Sequence, residues 1–188
     1  MKNQNDYLLT STVTVGQLKK WMQNKDDVAK NEIIKLIRHR FENRYIKHVR
    51  EIKSGFLKMS IGCFIIETLQ SFKEGEKDTS RIGKKMFVNF FKSEINNFPG
   101  FNNKLSKDFY SNIRCGILHQ SETKNAWRIL LTGPLLDTTS KAINAELFIL
   151  ALEESLKNYL ANLKKQDFNS DLWKFAFLKL KDICENCK

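Results

Sequence analysis

Apolar residues recur along this chain at three- and four-residue intervals, with little strand-like alternation and few glycines or prolines to interrupt them. That periodicity predicts a mostly helical fold. Residues 14–24 form a short first helix on Val15, Leu18 and Trp21-Met22. Residues 27–52 form a longer one, with Ile33, Leu36, Ile37, Phe41, Tyr45, Val49 and Ile52 on a broad inward side. Ser54-Gly55 separates it from a helix ending at Glu74, whose stripe is Ile61, Phe64, Ile65, Leu69 and Phe72. Ser60, Glu67 and Gln70 lie on its other side, and Gly75 is the stop.

Ser80 is the expected N-cap of a helix over 81–95 carrying Met86, Phe87, Phe90 and Phe91. Residues 96–104, with two Asn-Asn pairs and Pro99-Gly100, read as a loop. Ser106 is expected to open the next helix, which turns Phe109-Tyr110, Ile113 and Ile117-Leu118 toward the core. Residues 124–136 then read as a short hairpin or extended loop. A long amphipathic helix over 140–165 and a last one capped by Ser170 complete the chain. The expectation is one all-α domain over 1–188: a helical bundle core at about 54–163, an N-terminal helical extension at about 12–53 and a C-terminal helix at about 170–185.

Charge sharpens this picture. The formal net charge is +11, and residues 30–58 hold nine Lys or Arg against three Asp or Glu. Such an excess fits a polyanionic partner such as RNA, although lysines outnumber arginines 25 to 7, a bias that base composition alone can produce. Arg40, Arg44 and Lys47, at i, i+4 and i+7, can share one phosphate-facing stripe or simply a solvated face. There is no apolar run of about 18 residues and the N-terminus lacks an apolar signal core, so a cytoplasmic protein with no membrane contact is expected. Cys63 and Cys115 fall in apolar patterns as small buried thiols. Cys184 and Cys187 form a C-x-x-C with no second pair or suitable histidine nearby, so neither a metal nor a cofactor is expected.

The candidate chemistry sits in Arg114-Cys115-Gly116-Ile117-Leu118-His119. Arginine keeps its charge and offers a planar fork of donors for phosphate oxygens, while histidine exchanges protons near neutrality. Together they suit transfer on an RNA phosphodiester, where the ribose 2′-hydroxyl is the nucleophile. On an ideal helix, residues five apart point about 140° away from each other. Convergence therefore requires the helix to end or distort, and Gly116 and the polar run from Gln120 to Asn125 are the expected means. Each chain has one histidine in this context; His39 and His48 read as surface or core-edge residues. A two-fold dimer would bring two motifs together.

Phe109-Tyr110 and Arg114-Cys115-Gly116-Ile117-Leu118-His119-Gln120, in a helical chain, resemble the Arg-x4-6-His signature of the HEPN superfamily. The resemblance implies an all-α bundle, a homodimer with the motifs near its interface, and a metal-independent endoribonuclease leaving 2′,3′-cyclic phosphate and 5′-hydroxyl ends. It also implies a toxin or antiviral-defence setting, with an antitoxin or other defence-system protein as a further partner. Arg114 and His119 match the catalytic pair, and Glu67 matches an acidic residue on an earlier helix. Cys115 stands where the family often has a polar residue; Gln120 and Glu122 are nearby polar groups that could support the pair. Two other readings stay open: a non-catalytic module of the same fold that binds RNA, a nucleotide or a protein, and a helical interaction protein in which the motif is structural.

Overall fold

The computed structural model describes residues 3–187. Helix α1, Val15–Asn24, starts at a capping box: the Thr14 hydroxyl accepts from the Gln17 amide at 3.2 Å, and the Gln17 side chain accepts from the Thr14 amide at 2.8 Å. Asp26 caps α2, Asp27–Phe41, by accepting from the Ala29 amide at 2.6 Å. The helix continues through a π turn, Glu42–Ile46, into α3, Lys47–Glu51. Because a π turn takes in one extra residue, the buried stripe steps from Phe41 to Ile46 and then Val49. Tyr45, expected inside, is instead 40% exposed.

Ser54 caps α4, Gly55–Glu74, and Gly75 ends it with φ at 71°. This helix is the axis of the molecule. Helices packed around it bury Met59, Cys63, Ile65, Ile66, Leu69 and Phe72, together with Gln70, which was expected on the polar side. Phe64, expected in the core, is 52% exposed. Leu57, Phe64 and Thr68 define the one strip of α4 left uncovered, with Ser60 and Glu67 at its margins.

Lys58, from the basic stretch, points inward. Its fully buried ammonium donates to the carbonyls of Val49 at 3.0 Å and Arg50 at 3.1 Å and to Glu146 Oε2 at 2.9 Å. It thus satisfies the carbonyls at the end of α3 and ties them to the start of α8, Ala145–Lys165.

Helix α5, Gly83–Ser93, begins later than expected and lacks a side-chain cap, because Ser80 bonds Asp78 instead. Helix α6, Asn103–Phe109, begins earlier than expected: Asn102 is its cap, and Ser106 lies inside it, donating to the Asn102 carbonyl at 2.7 Å. The connection between them is no open loop. Phe98 and Phe101 are buried there, and Phe101 stacks on Phe91 with ring centroids 3.9 Å apart. Phe109 packs against Phe91 at 5.2 Å and Phe148 at 5.4 Å, so one aromatic cluster joins α5, α6 and α8.

After α6 the chain passes through a second π turn, Tyr110–Arg114, into α7, Cys115–Gln120. The expected hairpin or extended loop is a small three-stranded sheet of β1 (Arg128–Leu130), β2 (Leu136–Asp137) and β3 (Ala142–Asn144) in the order β1-β3-β2. β1 runs parallel and β2 antiparallel to β3, so the fold is mostly helical with a small mixed sheet. β3 occupies residues expected in the long helix. That helix starts only at Ala145, capped by the Asn144 side chain, while Ser140 bonds Asp137 in the preceding turn. Ser170 caps the last helix, α9, Asp171–Glu185, as expected; its buried Trp173 donates to the Leu163 carbonyl at 2.9 Å.

One hydrophobic cluster runs through all of this, from Leu9, Val15 and Ile33 to Trp173 and Leu180. No helix among the described residues is long and apolar enough to cross a membrane. Phe91→Ala should lower stability by about 3–5 kcal/mol in urea or thermal unfolding, the cost of an aromatic cavity. Leu118→Ala, at a position 52% exposed, should stay within about 0.5 kcal/mol of the parent.

Candidate functional site

The motif segment is shaped by the chain that returns across it. In the π turn the Cys115 amide donates to the Tyr110 carbonyl, an i to i−5 bond that disturbs the regular ladder. The Asn112 carbonyl accepts from the Lys124 amide at 2.9 Å, and its side-chain oxygen accepts from Asn125 Nδ2 at 2.8 Å. Ser121 ends α7 in the left-handed region at φ 54°, its amide donating to the Ile117 carbonyl at 3.1 Å. The buried Trp127 anchors the far end of this return.

The helix runs on past Gly116 and ends at Gln120, where the polar run expected to terminate it begins. A Cβ at Gly116 would lie 2.5 Å from the Glu122 carbonyl oxygen, so glycine is what allows the return segment to cross the helix.

Arg114 sits at the end of the π turn, half-buried, with its guanidinium carbon 5.4 Å from the centre of the Tyr110 ring. Its Nη2 donates to Glu67 Oε2 at 3.2 Å, while Glu67 Oε1 accepts from the Thr79 hydroxyl at 2.7 Å. Glu67, singled out from sequence as matching an acidic residue on an earlier helix, thus forms a direct ion pair with Arg114 between α4 and the motif. Burial works against the arginine charge, but Glu67 and then Tyr110 outweigh it and raise the guanidinium pKa. A single bond to Glu67 uses one of the five N–H donors of the guanidinium. Cys115 is half-buried beside Tyr110, whose phenol pKa is raised, chiefly by burial.

His119 lies five residues on, exposed, with no hydrogen bond or ion pair among the described residues. It lines none of the cavities that Arg114 lines. Gln120 is exposed beside it, and Glu122 turns its carboxylate onto the Thr123 amide at 2.8 Å. Within one chain, then, Arg114 and Glu67 are brought together, whereas His119, Gln120 and Glu122 project from the exposed helix end.

Of the expected basic stripe, Arg40 and Arg44 stay together on one cavity, while Lys47, beyond the π turn at 42–46, does not join them. Arg40 is half-buried and borders the same cleft as Arg114 and Glu67, a cavity of about 470 Å3. Arg44 is exposed and donates to the Leu9 carbonyl at 2.6 Å beside an adjoining cavity. Lys47 is exposed and lines neither. His48 is exposed, and His39 is half-buried.

Three contributors were not recognised from sequence. Asn112 is a polar residue buried at 8% exposure on an otherwise apolar face, and that mismatch was the available signal. Lys179 reaches the cleft from α9, and Tyr45 reaches it only because of the first π turn, so neither had a local signal. No group of three His, Cys, Asp or Glu side chains among the described residues is arranged to hold a metal ion. Cys184 is buried and its thiol pKa is pushed up to about 11, chiefly by burial.

Compared with protein-family models, curated proteins and solved structures, the chain matches none.

Gly116→Ala should displace the return segment, accelerating amide hydrogen exchange over 121–127 and costing about 1–3 kcal/mol. Glu67→Ala should leave the half-buried Arg114 charge without its carboxylate and lower stability by a similar amount, about 1–3 kcal/mol in chemical unfolding.

Proposed function

We propose that the protein is a metal-independent endoribonuclease of the HEPN type, acting as a homodimer on RNA in a cytoplasmic toxin or antiviral-defence setting. The observation that carries this reading is Arg114: a guanidinium oriented by Glu67 and Tyr110, with donors to spare, in the same short helical segment as an exposed, unpartnered histidine. The net charge of +11 supports a polyanionic substrate.

The roles follow from the chemistry of each group. The ribose 2′-oxygen attacks phosphorus as a base takes its proton. The bond from phosphorus to the 5′-oxygen breaks, and an acid returns a proton to that oxygen. The products are a 2′,3′-cyclic phosphate and a 5′-hydroxyl. His119 serves one of the two proton transfers, and Arg114 stabilises the charge that builds on the phosphoryl oxygens. Because the two proton transfers call for a base and an acid while each chain offers one histidine in this context, a second copy supplies the complementary group, with the motifs facing one another. Gln120 and Glu122, exposed at the same helix end, supply polar contacts around the pair. A defence-system partner such as an antitoxin would act by covering this end of the molecule.

A second reading, a non-catalytic module that binds RNA or a nucleotide, draws on the same guanidinium, held by Glu67 and Tyr110 with donors to spare. It predicts saturable binding without turnover, weakened by Arg114→Ala. The two are separated by incubating RNA with the protein in EDTA. Cleavage should persist, yield cyclic-phosphate ends, and fall by about 10²- to 10⁴-fold in His119→Ala. Cleavage abolished by chelation, or undiminished in His119→Ala, would refute the nuclease.

A further inference from the structure

Three cavities adjoin, two of them along the uncovered strip of α4 and the third beyond it at Arg44. The cavity at Leu118 meets the central cleft at Phe64 and Arg114, and the central cleft meets the cavity at Arg44 through Arg40 and Ile183. They form a groove whose cations are Arg114, Lys179, Arg40 and Arg44. Glu67 is the only carboxylate among its lining residues, and it already pairs with Arg114. Lys179 is also committed, donating to the Lys77 carbonyl at 2.7 Å with Asp182 at 3.6 Å.

Arg40 is different. It is half-buried between the central cleft and the Arg44 cavity, and it has no hydrogen bond or ion pair among the described residues. Burial and then the neighbouring Arg44 lower its pKa, so its charge is held against resistance. A guanidinium so placed fits an anion from outside the chain. Beside it the groove exposes two aromatic side chains, Phe64 and Tyr45. Both have the opposite of their expected orientation: each sits in an apolar pattern yet faces solvent next to cations. Exposed rings alternating with basic groups bind single-stranded nucleic acid, since a base has a free face only when it is out of a duplex.

We propose that this groove seats a nucleotide of single-stranded RNA beside Arg114, with its base stacked on Phe64 and Tyr45 and its phosphate held by Arg40. The inference rests on the RNA reading above and adds the form of the substrate: an unpaired segment running from the motif toward Arg44. A volume of about 470 Å3 in the central cleft is within the range of small-ligand sites.

Fluorescence anisotropy on the His119→Ala protein tests this without turnover, using a labelled oligoadenylate and the same strand in a blunt duplex. The single strand should bind more tightly than the duplex. Phe64→Ala should weaken single-strand binding by roughly 5- to 150-fold, the effect of losing one stacked base. Arg40→Ala should flatten the dependence of log affinity on log salt by about 0.7, one phosphate contact fewer. Tyr45→Ala, at an exposed position, provides a second truncation should either variant fold poorly. Equal binding of duplex, binding indifferent to these substitutions, or equal displacement by polyglutamate would overturn the proposal, the last marking an acidic-peptide site. Binding with these dependences in a wild type that cuts no RNA removes the nuclease and keeps the groove. RNA cleavage whose kcat and KM ignore Arg40 and Phe64 removes the groove and keeps the nuclease.

Discussion

The structure depends on the aromatic cluster centred on Phe91. Phe101 stacks on it from the connection after α5, Phe109 meets it from the end of α6, and Phe148 closes it from α8. These rings are all buried, and their packing holds three helices and an otherwise irregular segment at set positions. The π turn that leads into the motif begins at the residue after Phe109. Its placement against α4 is therefore inherited from the core, not from the polar residues around it.

Polar interactions refine that placement. Asn112 engages the return segment through both its carbonyl and its side chain, and Gly116 leaves room for that segment to cross. Tyr110 and Glu67 then constrain Arg114 from two sides. Lys58 plays a comparable part at the opposite end of α4, where a buried ammonium joins α3 to the start of α8. In both places a cation answers specific acceptors, as burial of charge requires. Arg40, which answers none, stands apart from this pattern.

The central helix explains why a groove exists at all. Neighbouring helices cover most of the circumference of α4, leaving a strip that carries Phe64 and Thr68, with Glu67 at its edge. Apolar periodicity cannot identify which strip of such a helix stays open, because apolar residues occur on nearly every side of it. Phe64 and Gln70 were accordingly assigned to each other's places. The π turn at 42–46 has a similar effect on a smaller scale, exchanging Tyr45 for Ile46 in the core.

Local signals in the sequence determined the helices and many of their ends. Gly75 and Ser170 act as the stop and the cap that backbone freedom and side chain predict, and Thr14 and Ser54 cap at boundaries the pattern had marked, because a cap depends on neighbours within a few residues. Arg114, His119 and Glu67 were also legible as candidates from residue type and spacing. Tertiary structure decided the rest. It turned residues 124–144 into a three-stranded sheet, since β1 meets β3 only when distant segments pair. It placed Glu67 on Arg114, gathered Arg40, Tyr45 and Lys179 around one cleft, and left His119 exposed. Those outcomes depend on which helix faces cover one another and on two π turns, and no local pattern of residues encodes either.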